Sequence, residues 1–478
     1  MTAAPAPRKS VQASIWARRH NSPNEEEGLA VTEKDMTADT ITAVDTRINA
    51  RWIIPIVPSG TVLNEHALLI QGDRIEAILP QAEADQHYRA RETLNLNDHV
   101  LLPGLINAHG HAAMSLMRGM ADDLPLMTWL NDHIWPAEAK FVSPEFIADG
   151  TRLAIAEMLR TGTTCFSDMY FFPEVAAQTA SDVGIRSQIC FPVLDFPTAW
   201  GDGPDDYLRQ GADLIDQWQN HSHVRIGIGP HAPYTVSDGP IRDLIRLSDD
   251  KQVPIQIHLH ETAFEVADAL EKSGTRPSQR LAELGLLTPH TQCVHMTQVD
   301  STDLMLLAES GAHVVHCPES NLKLASGFCP VDKLQKAGVN VSIGTDGAAS
   351  NNDLDLFGEL ETAAMLAKAV AEDAAALSAH QALAMATING ARAMGREKDI
   401  GSLETGKMAD VIAIDLSDPF NQPIYDPASH LVYSQHGRQL SHSWIGGVPQ
   451  VQDGKLTRID VPDLMLKVSH WAKRIRQG

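Results

Sequence analysis

Residues 224–261 and 291–347 hold five short apolar runs that end in polar groups: VRIGIGPHA (224–232), PIQIHLHE (254–261), TQCVHM (291–296), HVVHCPES (313–320) and VSIGTDG (341–347). Each is too short for a typical helix, contains β-branched residues and is bounded by turn residues, the pattern of a buried strand. Upstream, VLLPGLINAH (100–109), TCFSDMYF (164–171) and RSQICFPVL (186–194) share this texture and bring the count to eight. Segments of helical periodicity, such as PEFIADGTRLAIAEMLRTG and AFEVADALEKSG, separate most of them. Alternating strands and helices imply parallel pairing through right-handed crossovers. Eight such units close a (β/α)8 barrel of the TIM type, an α/β fold. A doubly wound open sheet is the competing architecture, but no GxGxxG follows an early strand.

The polar residues fall at the ends of these runs. His109 and His111 end the first, His231 the fourth, His258 and Glu261 the fifth, His295 the sixth and Asp346 the eighth. In a barrel, the C-terminal ends of the strands converge on one mouth. In an extended segment residues i and i+2 share a side, so His109 and His111 can reach one metal ion. His258 offers a third nitrogen and Asp346 an oxygen. Imidazole and carboxylate without thiolate suit Zn2+ or Fe2+. Glu261 is either free to turn toward a substrate or a carboxylate at the N-terminus of the next helix. His260 faces outward or backs the site. No lysine occurs from Phe141 to Asp250, which excludes a lysine-bridged metal pair and leaves a single ion. The loop HCPESNLKLASG, with His313 and His316 beside the seventh run, either shapes the substrate site or is structural.

On either side of this middle the texture changes. Ile41–Pro80 alternates apolar and polar residues with breaks at Pro58-Ser59-Gly60 and Gly72-Asp73, as antiparallel strands do. The pattern returns from Asp410 to Leu456 through DVIAID, HLVYS and HSWIGGVPQVQDGKL. Both ends together predict a small β-sandwich. The expected organisation is a disordered tail (1–37), sandwich (38–100 and 406–458), barrel (101–405) and a C-terminal helix (459–478). In the tail, Asn21-Ser22-Pro23-Asn24 follows Arg18-Arg19 where a twin-arginine leader would have an apolar region. A transit peptide is the compositional alternative.

The chain has 478 residues, 38 basic and 61 acidic, for a formal charge of -23, which argues against a nucleic-acid polymer as partner. With 43% hydrophobic residues it can fill a large core, and no apolar run suits a membrane span. Five scattered cysteines without a CxxC pair fit small buried side chains in a reducing compartment, hence the cytoplasm.

The motifs PGLINAHGHAAMSLMRGMADDLPLMTWL, AEMLRTGTTCFSDMYFF, PHAPYT, HLHET, HCPESNLKLASG and GTDGAASNN together resemble the amidohydrolase superfamily. Within it the chain is similar to the 5′-methylthioadenosine/S-adenosylhomocysteine deaminase group, which is related to the s-triazine hydrolases. The resemblance implies a barrel with a β-sandwich and one divalent ion, Zn2+ or else Fe2+ or Mn2+, on His109, His111, His258 and Asp346. It further implies Glu261 as proton shuttle, His295 as a hydrogen-bond partner of the attacking water, and His231 in the substrate site. Glu138 is implied as the carboxylate that binds ribose hydroxyls, and Trp129 as an aromatic beside the substrate. Cys317 departs from the asparagine often found there, which leaves the metal set intact. The implied reaction replaces the 6-amino group of an adenosine-type nucleoside by water, releasing ammonia, in a homo-oligomer (dimer or tetramer). The same site could instead serve a ribose-free ring such as guanine, an s-triazine or a cyclic amide. A metal-binding scaffold without turnover is the non-enzyme alternative. Arg186 is a candidate for a substrate carboxylate, with a surface salt bridge as its other reading.

Overall fold

The computed structural model describes residues 41–434 and 439–477. The tail expected over 1–37 lies outside them. Four strands open the described chain: β1 (Thr42–Ile53), β2 (Leu63–Gln71), β3 (Arg74–Pro80) and β4 (Tyr88–Pro103). Eight follow in the middle: β5 (Leu105–Asn107), β6 (Thr163–Met169), β7 (Arg186–Val193), β8 (Val224–Pro230), β9 (Ile255–Leu259), β10 (Thr291–His295), β11 (His313–His316) and β12 (Val341–Ile343). Four close the chain: β13 (Val411–Asp415), β14 (Leu440–Ile445), β15 (Val448–Gln452) and β16 (Lys455–Leu456).

β5 to β12 pair in chain order, each neighbour parallel to the last. The ring closes where Ala108 N–H donates to Ile343 O at 2.9 Å and Asp346 N–H to His109 O at 3.1 Å. Every residue of β6, β7, β9 and β10 is buried, because helices cover the outer face and side chains fill the lumen. The helix Pro144–Arg160 shows the local logic of the outer layer. Ser143 accepts a hydrogen bond from Phe146 N–H, proline takes the first turn, and Phe146, Ile147, Ala154, Ile155 and Leu159 are buried.

The strands from the two chain ends join in one mixed sheet of order β16-β15-β14-β13-β4-β1-β2-β3. Ile48, Ile53, Leu68, Ile70, Leu101, Val411 and Trp444 form a core there, separate from that of the barrel. The run VLLPGLINAH divides between the two sheets: β4 ends at Pro103 and β5 begins at Leu105. Gly104 makes the passage possible, since a Cβ there would lie 2.0 Å from Thr164 Oγ1. HLVYS (430–434), read as part of the strand texture, is instead the end of the helix Pro427–Tyr433 and its C-cap Ser434. Asp426 caps that helix through Ala428 N–H and Pro427 opens it, a start signal that outweighs a short apolar run of ambiguous period. The expected C-terminal helix is present as Val461–Arg476, and Trp471 Nε1–H donates to Asp149 Oδ2 at 3.0 Å.

No helix among the described residues is long and apolar enough to cross a membrane. All five cysteines are free and buried.

Candidate metal and active site

Three imidazoles and a carboxylate meet at the C-terminal mouth of the barrel. His258 Nε2 lies 3.2 Å from His109 Nε2, and Asp346 Oδ1 lies 3.5 Å from His109 Nε2 and 3.2 Å from His111 Nε2. Each ring is fixed from behind through Nδ1–H. His109 donates to Gln256 Oε1 (2.8 Å), His111 to Met169 O (2.6 Å) and His258 to His231 O (2.7 Å). Gln256 is itself oriented, because its Nε2 donates to Ala108 O at 2.9 Å. Backbone carbonyl and carboxamide oxygens can only accept, so the neutral rings carry their proton on Nδ1 and present Nε2 lone pairs to one point. Lone pairs and a carboxylate facing each other require positive charge between them. Burial disfavours the charged form of His111, but Asp346 outweighs burial and raises its pKa to about 9. The donor set fits a divalent cation bound through nitrogen and oxygen.

Asp346 is the most constrained member. Oδ2 accepts from Ser320 Oγ–H (2.6 Å) and Ser350 Oγ–H (3.0 Å), and Oδ1 accepts from Gly347 N–H (2.8 Å). Burial would raise its pKa, yet the hydrogen bonds and charge of His109 and His111 hold the carboxyl well below the usual range. Gly344 permits the approach of β12 to the first histidine, because a Cβ would meet His109 N at 2.7 Å.

Glu261 sits on the turn after β9, with Oε2 3.8 Å from His295 Nε2. Its alternative role at the helix N-terminus is filled by Glu265, whose carboxylate accepts from His260 N–H (3.0 Å) and Glu261 N–H (2.8 Å). The Glu261 carboxyl is thus left facing the cavity. Burial, reinforced by the Asp346 charge, pushes it up to about 8. His260 points away from the mouth, with Nδ1 3.0 Å from Gln298 O and Nε2 3.1 Å from Ser278 N. His295 also approaches the cluster, and its Nδ1 is 2.9 Å from Asn321 Oδ1.

Over these groups opens a cavity of about 640 Å³, lined by Trp129, Glu138, His231, Glu261, His295 and Asp346 among others. Glu138 and Trp129 come from a helical segment of Leu126–Trp129, a π-turn Leu130–Ile134 and Trp135–Phe141. Tyr170 O–H donates to Glu138 Oε1 at 2.6 Å. Burial lifts the Glu138 carboxyl to about 7 even though this bond opposes the shift. His231 is held at about 4 by burial and lies 3.1 Å from Thr235 Oγ1 through Nδ1.

Arg186 does not reach this cavity. It stands at the start of β7, the opposite end of the strand from the mouth, and its side chain is 2% exposed. Its Nε and Nη2 donate to Asp410 at 2.6 and 2.9 Å, so its partner is a buried internal carboxylate, neither a substrate nor a surface acid. His313 likewise begins a strand, and its ring contacts Pro289 O (3.0 Å) and Asn340 (3.0 Å) away from the mouth. On the short helix Pro318–Lys323 after β11, Ser320 and Asn321 support Asp346 and His295 from behind, and Leu324 lines the cavity.

The sequence reading missed Tyr170, Gln256, Ser320 and Ser350. Gln256 precedes His258 by two residues on one strand, so its side was readable. Tyr170 follows β6 directly, among the mouth positions. The serines carried no signal, because their acceptor lies on other elements.

The profile of the amidohydrolase family matches residues 100–449. A 5-methylthioadenosine/S-adenosylhomocysteine deaminase of Saccharophagus degradans is 53% identical over 435 residues, 91% of this chain and 98% of that one. A protein of the same name from Teredinibacter turnerae is 50% identical over 434 residues, 91% and 98% of the two chains. Among solved structures, an adenosine deaminase from Xanthomonas campestris with bound zinc superposes with a TM-score of 0.91 at 47% identity, covering 92% of this chain and all of the other. An atrazine chlorohydrolase from Arthrobacter aurescens shares the fold, with a TM-score of 0.84 at 22% identity over 89% of this chain and 100% of that one.

Proposed function

The chain belongs to the amidohydrolase family, and on that premise we propose that it is a hydrolytic deaminase of adenosine-type nucleosides. The substrates are 5′-methylthioadenosine, S-adenosylhomocysteine or adenosine, and the products are the inosine derivative and ammonia. The observation that carries this reading is Glu138, a buried carboxylate on the wall of the cavity that also holds the histidine–aspartate set. Ribose presents two hydroxyl donors, and a carboxylate is the acceptor that suits them.

His109, His111, His258 and Asp346 would hold one divalent ion, Zn2+ in preference to Fe2+ or Mn2+. Nitrogen and oxygen donors favour such an ion, and the 47%-identical structure contains zinc. When bound, the cation supplies the Lewis acidity that makes hydroxide available near neutral pH. The residues then manage protons. Asp346 takes one from the attacking water while His295 orients that water from the other side. Glu261, pushed up to about 8, keeps its proton at pH 7 and can give it to ring N1. The new C6–O bond forms against a ring that is protonated rather than anionic. Asp346 passes its proton to the amino group, the C6–N bond breaks and ammonia leaves, while the proton remaining on the new C6 oxygen returns to Glu261 as the carbonyl forms. Trp129 and His231 flank the base. The same reading places the enzyme in the cytoplasm, supported by five free buried thiols, and makes it a homo-oligomer, supported by the resemblance alone.

The test is ammonia release by zinc-loaded protein on adenosine and its two 5′-thio derivatives, beside adenine and guanine. Release from the nucleosides is expected; release from free bases only would replace the reading by hydrolysis of a ribose-free ring. Glu261→Gln should lower turnover by about 10²–10⁴, the usual range for a general acid–base group, with the metal retained. Undiminished turnover would remove Glu261 from the mechanism.

A further inference from the structure

We propose that a chain of amides in the barrel lumen, Gln256, Gln292 and Gln188, positions the His109 ring for its metal, with Gln292 acting on the site without touching it. This rests on the reading of His109 as a metal ligand and is independent of the substrate. The three glutamines stand on β9, β10 and β7 and are at most 2% exposed. Branched apolar side chains ordinarily fill a barrel lumen. Buried amides in their place are costly unless their donors and acceptors are matched.

Here they are matched in one direction only. Gln292 Nε2 donates to Ala393 O at 2.7 Å, on the helix Ile388–Ala393, and to Gln188 Oε1 at 3.1 Å. Its Oε1 is thereby turned to accept from Gln188 Nε2 (3.0 Å) and Gln256 Nε2 (2.6 Å). Gln256 Nε2 spends its other hydrogen on Ala108 O at 2.9 Å, so its Oε1 is left to accept from His109 Nδ1–H at 2.8 Å. Gln188 closes the far end, donating to Ser167 Oγ at 3.0 Å. The carbonyls of Ala108 and Ala393 cannot donate, so they fix which end of each neighbouring amide is nitrogen. Turning Gln256 over would set its oxygen against Ala108 O and Gln292 Oε1, and its N–H against the His109 proton. Gln292 thus supplies one of the two oxygens that keep the Gln256 acceptor toward His109. The ring then keeps its Nε2 lone pair for a cation, as a partner behind a metal ligand does.

The test is zinc retention by zinc-loaded protein against a chelator, read beside Tm with and without zinc. Gln256→Met should lower zinc affinity about 10–100-fold, the usual effect of losing a partner behind a metal-ligating histidine. Gln292→Met should lower it about tenfold, the lower end of that range, and should shrink the gain in Tm that zinc gives. Because Gln292 acts through Gln256, the double variant should lose no more affinity than Gln256→Met alone. Gln292→Glu, protonated in its buried site, keeps an O–H toward Ala393 O and a carbonyl toward Gln256, and should hold zinc as wild type does. Wild-type retention in Gln292→Met, or losses that multiply in the double variant, overturns the proposal and leaves the amides to packing. Should Gln292→Met not fold, Gln292→Asn withdraws the amide by one methylene and is held to the same outcome: weakened retention supports the proposal and wild-type retention overturns it. A wild-type protein that binds no zinc would instead remove the metal reading itself, and the proposal with it.

Discussion

Replacing Glu138 by glutamine separates recognition of the sugar from chemistry at the base. The carboxylate is buried and accepts from Tyr170 O–H at 2.6 Å through Oε1, which leaves Oε2 for the substrate. Glutamine preserves the shape and can still accept from Tyr170, but it offers no charge to a ribose hydroxyl. A hydrogen bond to a charged group contributes about 1.5–3 kcal/mol, so kcat/KM for adenosine should fall by about tenfold to 150-fold. The loss should appear mainly in KM, since the sugar is remote from the bond that breaks. The assay is steady-state deamination of adenosine and of 2′,3′-dideoxyadenosine by wild type and variant. Wild type should discriminate between the two substrates, and the variant should treat them nearly alike. An equal loss on both substrates would refute the ribose assignment, because the effect would then act on the base or the fold. A pH series adds a check of sign. Glu138, raised to about 7, is neutral below that value and ionised above it. Nucleoside KM should therefore improve as pH rises from 6 to 8, with no such trend for the dideoxy substrate.

Arg186→Ala should destabilise by about 3–5 kcal/mol in chemical unfolding, because it strands the buried Asp410 carboxylate; wild-type stability would show that the pair is dispensable. Ser320→Ala removes a donor to Asp346 Oδ2 and should weaken zinc retention in a chelator competition as well as lower kcat, whereas an unmoved metal affinity would limit the serine to packing. Asp355, raised by burial from 3.8 to about 7, costs stability when it ionises in the folded state. Its stabilising contribution is present below pH 3.8 and fades as pH rises toward 7. Asp355→Asn should therefore raise Tm at pH 8 and leave it nearly unchanged at pH 4; a gain at pH 4 alone would contradict this.

The barrel was legible because parallel strands buried on both faces must be short apolar runs, and a closed eight-unit barrel sends every strand end to one mouth. That rule made His109, His111, His258, His295 and Asp346 readable as one set before any contact was known. The rule has a direction, which explains Arg186. A polar residue at the start of a strand lies at the far end of the barrel, and the position of Arg186 at the start of its run was available in the sequence. HLVYS failed for another reason: five residues hold too little periodicity to separate a strand from a buried helix turn, and the cap at Asp426-Pro427 decided it.

By itself, then, the order of residues determined the repeating strand–helix unit, the residue types at the mouth and the absence of thiolate among them. Tertiary structure decided what depends on distance between elements remote in sequence. Gln256 fixes the His109 ring across 147 positions, Ser320 holds Asp346 across 26, and Tyr170 anchors Glu138 across 32. Thr262 caps the helix, and Glu265 supplies its first-turn carboxylate and accepts from His260 and Glu261 N–H, which leaves the Glu261 carboxyl to the cavity. The raised pKa values of Glu138 and Glu261 have the same origin, since desolvation belongs to the surroundings of a group and not to its neighbours in the chain.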